Sequence, residues 1–378
     1  MDNKVTTTMS STNMQKRYCL FLGTMTILLL HACNTPSGDN NKYYSAEDFY
    51  KIKKIDVHAH ALMPRPDFVQ QAKKDNFILM SVNVEVPDYP PVDSQRNYVL
   101  QLHREFPENI YLVTTFETAK INEPGWADEQ LSLLKRAFDS GALGIKVWKN
   151  IGMSIKNKDG KFIMIDDPVF DPIFNYLEKN GIPVMGHLGE PKNCWLPLDS
   201  MTTNNDRNYF KSHPEYYMFL HPEYPSYEAQ IKARDHLLEK HPGLKFLGAH
   251  LASLEWSVDE VAKRLDKFPK MSVEPAARMG QVQYQSIGNW QKVHDFFIRY
   301  QDRIMYGTDL SQEAPDNPDS VKKNAHDHWL KDWQYLTTGD SLQSPYVNQK
   351  FKGLQLPKTV VDKIYYKNAE KWYLNKKG

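Results

Sequence analysis

Ile55-Asp56-Val57-His58-Ala59-His60 is the stretch that decides the fold. In a β-strand, residues two apart point to the same face, so His58 and His60 are predicted to project together. Neutral imidazole is the commonest metal ligand, and such a pair is therefore half of a divalent-metal site. Two histidines that only make ordinary hydrogen bonds would give the same short motif. Whether this pair belongs to a metal site therefore depends on whether the later strands supply further ligands.

Short apolar runs alternate with segments of helical period over the rest of the chain. The predicted strands are residues 53–60, 77–86, 110–116, 143–148, 182–187, 245–250, 271–274 and 304–309. The predicted helices are residues 67–75, 94–106 (with Ser94 as the N-cap), 128–140, 169–179, 227–240, 258–268, 290–300 and 358–373. Apolar strands that alternate with helices are typical of a parallel sheet buried on both faces.

Eight such repeats predict an α/β fold, a (β/α)8 TIM barrel, with its active site at the C-terminal ends of the strands. The alternative, an open doubly wound sheet, would favour a glycine-rich phosphate loop after an early strand, and none follows His60 or Val86. A net charge of +1 in 378 residues, with 41% hydrophobic and 25% charged residues, gives no indication of a nucleic-acid partner.

Four of the other predicted strands end in residues that bind metals or transfer protons. Lys146 lies at the end of the fourth, His187 ends the fifth, His250 the sixth and Asp309 the eighth. In a barrel these strand ends open into one mouth, so the side chains are predicted to meet there with the first two histidines.

This set of strand-end residues resembles the amidohydrolase superfamily, in particular the amidohydrolase-related branch that includes aminocarboxymuconate-semialdehyde decarboxylase-type enzymes. The resemblance runs from about Lys53 to Tyr373. It implies a metal-dependent hydrolase whose ligands are His58, His60, His187 and Asp309.

The resemblance also implies that His250 acts beside the metal as an acid, base or polarising group. We expect one divalent ion, Zn²⁺ first, because zinc acidifies bound water and tolerates an open coordination position. Asp309 is then expected to take the proton from that water, and His250 to hydrogen-bond the substrate carbonyl. A histidine satisfied within the core is the alternative interpretation of His250.

Lys146 has two interpretations. In some relatives a lysine on strand four is carboxylated and bridges two metals, so two ions are the alternative to one. Otherwise Lys146 binds substrate or pairs with a carboxylate, because a buried lysine needs a partner.

Residues outside the strand ends are expected to select the substrate. Insertions lengthen the rim after strands four and five, at residues 150–166 and 188–227. The second is rich in aromatic residues, which either stack on the substrate as a lid or pack the insertion onto the barrel. Arg278 and Glu190 follow strands seven and five, and Arg278 is expected to bind a substrate carboxylate or a structural aspartate.

The N-terminus has the pattern of a bacterial lipoprotein signal. Lys16-Arg17 precedes an apolar run that ends in Leu30-His31-Ala32-Cys33, similar to a lipobox. We therefore expect residues 1–32 to be a signal peptide, 33–50 a lipidated Cys33 with a flexible tether, and 51–378 the catalytic domain. The expected location is the cell envelope of a Gram-negative-type bacterium, anchored in the membrane by lipid. An uncleaved anchor or a non-lipidated signal is the alternative.

The sequence thus predicts a tethered, metal-dependent hydrolase of a small amide, ester or lactone. A metal-dependent carboxy-lyase acting on an unsaturated or aromatic acid uses the same residues and is the alternative. A lipoprotein that only binds a metal or ligand is the third interpretation. The expected partners are a small-molecule substrate and the membrane, and an oligomer is compatible with the sequence.

Overall fold

The computed structural model describes residues 42–375. Its strands are β1 (Lys54–Ala61), β2 (Phe77–Val82), β3 (Ile110–Val113), β4 (Ile145–Val147), β5 (Val184–Gly186), β6 (Phe246–Gly248), β7 (Met271–Val273), β8 (Leu310–Gln312), β9 (Ser341–Leu342) and β10 (Phe351–Lys352). Its helices are α1 (Asp67–Lys74), α2 (Val92–Glu105), α3 (Trp126–Asp139), α4 (Asn150–Met153), α5 (Asp171–Lys179), α6 (Asn204–Ser212), α7 (Tyr227–Lys240), α8 (Ala249–Ala252), α9 (Val258–Lys267), α10 (Met279–Arg299), α11 (Pro318–Thr337) and α12 (Lys358–Asp362). Helix α12 continues through π-helical turns at Lys363–Lys367 and Glu370–Leu374.

The first eight strands form a closed parallel barrel. Two four-stranded runs, β3-β2-β1-β8 and β4-β5-β6-β7, contain parallel pairs only. Parallel bridges between Thr114 and Ile145 and between Val273 and Ile304 join the runs at both seams. The predicted (β/α)8 fold is therefore confirmed, and the C-terminal strand ends surround one mouth.

Two layers of apolar side chains hold the barrel together. The smaller layer fills the interior of the barrel and includes Ile55, Val57 and Leu247, together with Tyr373 from the last helical turn. The larger lies between the strands and the surrounding helices, where Trp329 and Phe77 stack with ring centroids 4.4 Å apart. Burial on both faces explains why the strands are almost continuously apolar in sequence.

Residues 43–50, assigned from sequence to the tether, are folded against the barrel, and this part of the prediction is wrong. Tyr43 forms an antiparallel bridge with Pro357, and Ala46–Tyr50 is a 3₁₀ helix with Phe49 fully buried. The fully buried Lys54 donates from Nζ to the carbonyl of Ile52 at 2.7 Å. The folded domain therefore begins before residue 51.

Four other elements differ from the prediction. Helix α11 was not predicted, and α10 begins eleven residues earlier than the predicted start at Trp290. Helix α2 begins at Val92 after Pro91, so Ser94 lies inside it and is not the cap. Regular β8 begins at Leu310, after the predicted strand, because only Ile304 of residues 304–309 forms a bridge.

The rim segments have their own structure. Gly160, with φ of 78°, closes the predicted hairpin turn between Lys156 and Phe162. Residues 188–227 contain a small separate core to which Phe210, Tyr217 and the free thiol of Cys194 belong. Within residues 42–375 no helix is long and apolar enough to cross a membrane. The predicted signal peptide and Cys33 lie outside the described residues.

Candidate metal centre and active site

Asp309 is the centre of the histidine cluster at the barrel mouth. Its Oδ1 lies 2.9 Å from Nε2 of His58 and 3.1 Å from Nε2 of His60. Its Oδ2 lies 3.9 Å from Nε2 of His250. The backbone holds it there, because the Asp309 amide donates to the carbonyl of His58 at 2.7 Å while φ is 66°. Strands one, six and eight thus meet at one carboxylate.

The first two histidines present the same ring nitrogen to Asp309. His60 Nδ1 lies 2.8 Å from the carbonyl oxygen of Val82, which can only accept, so Nδ1 carries the proton. His58 Nδ1 lies 2.8 Å from Oε1 of Glu274. In the neutral ring of each, Nε2 is then a lone-pair donor that faces Asp309.

His187 and His250 form a second pair. His250 Nδ1 donates to the carbonyl of Ala276 at 2.7 Å, which leaves its Nε2 as an acceptor. His187 Nδ1 lies 3.1 Å from that Nε2 and is therefore the donor. His187 Nε2 is left with a lone pair and, although buried, no hydrogen-bond partner. An orphaned buried nitrogen of this kind is typical of an unfilled ligand position.

Burial sets the charge of the cluster. It lowers the pKa of His60 to about 4 and the pKa values of His187 and His250 well below their ordinary value. Burial opposes ionisation of Asp309, but His58 and His250 outweigh it and hold the pKa of Asp309 well below its usual range. Near neutral pH the mouth therefore combines three neutral imidazoles with a carboxylate.

His58 is the exception among the histidines. Burial and Lys146 lower its pKa, but the carboxylates of Asp309 and Glu274 outweigh them and raise it. His58 is therefore the ring that takes a proton when no cation lies between its Nε2 and Asp309.

These residues fit a divalent metal. The ligand atoms of His58, His60 and Asp309 lie within 4.8 Å of one another, as do those of His58, His250 and Glu274. In the first group Oδ1 of Asp309 faces the lone pair of the neutral His60 ring at 3.1 Å, which is favourable only with a cation between them. Imidazole and carboxylate are the ligands zinc prefers. His187 is in neither group and contacts the cluster through His250.

Glu274 and Asp56 were not among the site residues predicted from the sequence. Glu274 ends the apolar run of β7, so it had the same strand-end signal as the residues that were selected. Asp56 lies in the opening motif itself, where its carboxylate accepts from the His58 amide at 3.1 Å and from Oγ1 of Thr308 at 2.6 Å. Both carboxyl groups are fully buried and join strands of the mouth to one another.

Lys146 lies against the cluster. Its side chain is buried and Nζ contacts Nε2 of His58. Burial lowers the pKa of Lys146 to about 8, although Asp309 and Glu274 act in the opposite direction. The neutral amine is therefore accessible near neutral pH, which is compatible with carboxylation and with substrate binding.

The two predicted substrate residues differ in how they are paired. Glu190 is buried and forms an ion pair with Lys149. Arg278 forms no ion pair in the described part of the chain, and its Nε has no hydrogen-bond partner. Burial opposes the charge on Arg278, but nearby carboxylates outweigh it and raise its pKa. One Nη of Arg278 donates to the carbonyl of Ala277 at 3.0 Å, so only the rest of the guanidinium can bind an added anion.

The aromatic residues of the 188–227 segment mostly pack together. Phe210 stacks on Tyr217 with centroids 5.9 Å apart, and Trp195 packs against Tyr227 at 5.6 Å. Tyr209 and Tyr216 stack at 6.4 Å on the exposed side. The packing interpretation therefore describes most of these rings.

A parallel barrel with histidines and carboxylates at its C-terminal mouth defines the class of TIM-barrel amidohydrolases. The family model described as amidohydrolase matches residues 122–374. That is more than half of the chain, and the protein therefore belongs to the amidohydrolase family. The matched range contains Lys146, His187, His250 and Asp309, whereas the first-strand histidines precede it.

Several solved structures are similar. An uncharacterised TIM-barrel protein from Bordetella bronchiseptica is 16% identical and has a TM-score of 0.48. The alignment covers 85% of this chain and 98% of the Bordetella chain. A 2,6-dihydroxybenzoate decarboxylase from Rhizobium has the same identity, coverage and TM-score. A 5-carboxyvanillate decarboxylase from Sphingomonas paucimobilis is 11% identical, with coverage of 85% and 98% and a TM-score of 0.45. These scores do not bear on the reaction. No curated protein matches the chain.

Proposed function

We propose that the protein is a metal-dependent hydrolase that acts on an amide, ester or lactone of a small molecule. The metal is held by His58, His60, His187 and Asp309. The observation that carries the proposal is the position of Asp309, whose Oδ1 meets two imidazoles while Oδ2 is turned toward His250. One carboxylate can therefore bind a cation and still accept a proton.

A divalent ion in this site supplies Lewis acidity, polarising a substrate oxygen and lowering the pKa of water toward about 7. Asp309 is ionised and half-buried, so Oδ2 accepts the proton lost by water and returns it to the leaving group. Both ring nitrogens of His250 are already engaged, Nδ1 as a donor to Ala276 and Nε2 as the acceptor of the His187 N–H, so the neutral ring of His250 orients His187. The expected role of polarising a carbonyl would need a protonated ring, which burial opposes.

The test is product analysis on the full-length protein loaded with Zn²⁺ or Mn²⁺. A panel of amides, esters and lactones is compared with aromatic and unsaturated acids, with acid release followed in a pH-stat and CO₂ measured separately. Acid release without CO₂, abolished in Asp309→Asn, supports the proposal. The matched control is Asp295→Asn, since Asp295 is exposed and remote from the cluster. CO₂ release as the principal turnover overturns it.

The second candidate, a carboxy-lyase, is favoured by Arg278. A half-buried guanidinium whose Nε has no partner suits a substrate that carries a carboxylate. Arg278→Lys keeps the charge but loses the planar fork, so it should raise KM for acids more than for neutral esters. An equal effect on both substrate classes would argue against a carboxylate at this position.

We also propose that Cys33 anchors the enzyme by lipid in the cell envelope. Support comes from the lipobox-like sequence before it. Mass spectrometry of the N-terminal peptide from membrane-fractionated cells tests this directly. Cys33 as a diacylated N-terminal residue is expected, and an unmodified Cys33 in the mature protein contradicts it.

A further inference from the structure

We propose that Glu274 is the positioning residue of this site, holding His58 and His250 in the ring orientations that metal binding requires. The proposal rests on the proposed metal-dependent function and deepens it. Glu274 was not among the residues predicted from sequence, and it is the fully buried residue that directly follows β7.

Both oxygens of the Glu274 carboxylate are used within the protein. Oε1 lies 2.8 Å from Nδ1 of His58 and accepts from the backbone amide of His250 at 3.1 Å. Oε2 accepts from the amide of Ala276. The carbonyl of Ala276 in turn accepts from Nδ1 of His250 at 2.7 Å. The Glu274 carboxylate therefore determines directly that Nδ1 of His58 carries the proton. It acts on Nδ1 of His250 indirectly, by fixing the position of Ala276.

The backbone after β6 needs this support. His250, Leu251, Ala252 and Ser253 have φ values of 57°, 56°, 58° and 55°, so four consecutive residues with side chains lie in the left-handed region. That conformation is unfavourable for L-residues and persists only when its surroundings hold it. Glu274 makes two hydrogen bonds to the start of this left-handed segment. Its carboxylate accepts from the His250 amide, and its backbone carbonyl accepts from the Leu251 amide at 2.7 Å.

Glu274 lies on the far side of His58 from the metal ligands. It contacts Nδ1, whereas Asp309 contacts Nε2 of the same ring. Its side chain has no exposure, while that of Asp309 is 30% exposed. The space around it is closed as well, because a Cβ at Gly307 would meet Oε2 at 3.1 Å. Glu274 therefore acts through the histidine and does not bind the ion itself.

The charge of the carboxylate is the essential property. Three N–H groups point at its two oxygens, so both must be acceptors. The amide of glutamine has one acceptor and one donor, and Glu274→Gln would therefore turn an N–H toward a donor. Either the left-handed turn loses a hydrogen bond, or His58 moves its proton to Nε2 and loses the lone pair for the metal.

The experiment compares Zn²⁺ and Mn²⁺ affinity of the full-length protein with that of Glu274→Gln, by competition with a chromogenic chelator. Loss of such a partner typically weakens metal binding by about 10–100-fold, which is the expected result. The matched control is Asp75→Asn. Asp75 is also fully buried, and its carboxylate lies 2.9 Å from Nδ1 of His326. It belongs to neither of the two candidate ligand groups. The control should bind both ions as the wild type does.

A second measurement on the wild type does not depend on the variant folding. In the ¹⁵N imidazole spectrum of the Zn²⁺-loaded protein, a slowly exchanging Nδ1 proton is expected for His58, assigned by its absence in His58→Asn. A His58 that carries its proton on Nε2 overturns the role of Glu274, as do equal metal affinities of wild type and Glu274→Gln. A wild type that binds neither ion overturns this role and the proposed function together.

Discussion

His250 Nε2 lies 3.1 Å from His187 Nδ1, and this contact determines which nitrogen of His187 carries the proton. Because His250 Nδ1 already donates to Ala276, the bond between the two rings can run only from His187 to His250. The chain of donors ends at His187 Nε2, which is buried and has no partner. The two strand ends thus prepare a lone pair at the mouth.

His187→Asn should separate metal binding from stability. The change removes the orphaned Nε2 but also the Nδ1 donor to His250, so the metal-free protein should lose at most about 1–3 kcal/mol of stability. Zn²⁺ affinity should fall at least tenfold, since a ligand is lost. Thermal unfolding with EDTA and with Zn²⁺ measures both quantities. His236→Asn, at an exposed histidine, is the control and should leave both unchanged. If the His187→Asn variant bound Zn²⁺ as tightly as the wild type, His187 would be excluded as a ligand.

Asp309→Asn should abolish turnover while the barrel stays folded. The amide cannot accept a proton in the same way, and general acid–base groups typically contribute about 10²–10⁴-fold to the rate. We expect kcat on the identified substrate to fall by at least that lower factor and metal content to drop. Metal analysis and steady-state kinetics on the same preparation test this. Retained activity with full metal content would move the proton-transfer role to another group.

Stability should fall as pH rises through the range set by Glu255. Burial raises the pKa of Glu255 from 4.5 to about 7, although Arg278 acts in the opposite direction. Between these values the folded protein binds more protons than the unfolded chain, so the free energy of unfolding decreases with increasing pH. The contribution is up to about 3 kcal/mol.

Glu255→Gln removes this contribution, because the amide is neutral and its oxygen can still accept from the Lys192 amide. Urea unfolding at pH 5 and pH 8, with EDTA, should show a smaller pH-dependent loss in the variant than in the wild type. Glu239→Gln, at an exposed glutamate, is the control. Parallel curves for wild type and Glu255→Gln would show that Glu255 ionises normally.

Much of the site could be predicted because a barrel converts strand ends into neighbours. The i,i+2 spacing of His58 and His60 gave two side chains whose rings lie 5.3 Å apart. His250 and Asp309 are 59 positions apart in sequence, yet Nε2 of His250 lies 3.9 Å from Oδ2 of Asp309. No local pattern, however, indicates that Glu274 faces Nδ1 of His58, since the orientation of a ring depends on tertiary contacts.

Helix α11 shows where a readable signal was overlooked. Val321, Ala325, Trp329 and Trp333 are buried at spacings of four, and the side chain of Asn317 caps the helix by accepting from the amide of Asp319 at 2.9 Å. This is an ordinary amphipathic helix. The pairing of Glu190 with Lys149, in contrast, depends on how two loops fold and has no sequence signal.

The missed helix also reaches the metal centre, which gives a further prediction. Trp329 donates from Nε1 to Oδ2 of Asp56 at 3.0 Å, and Asp56 accepts from the amides of His58 and Thr308. Burial raises the pKa of Asp56 to about 6, and hydrogen bonds from Thr308 and Trp329 limit that rise. Trp329→Phe removes one donor from a buried carboxylate, which should cost about 1–3 kcal/mol above pH 7, in addition to the pH-independent cost of a smaller ring in the core.

The cost should shrink near pH 5, where Asp56 is protonated in the folded protein and the lost donor matters less. Zn²⁺ affinity should also fall several-fold, because Thr308 precedes Asp309 and loses part of its anchor on β1. Urea unfolding at both pH values and a chelator competition measure these effects. Trp290→Phe is the control, since Trp290 donates to the carbonyl of Gly353 at 3.0 Å, away from the mouth. If both tryptophan variants lose stability without any difference in Zn²⁺ affinity, Asp56 does not couple the outer helix to the metal centre.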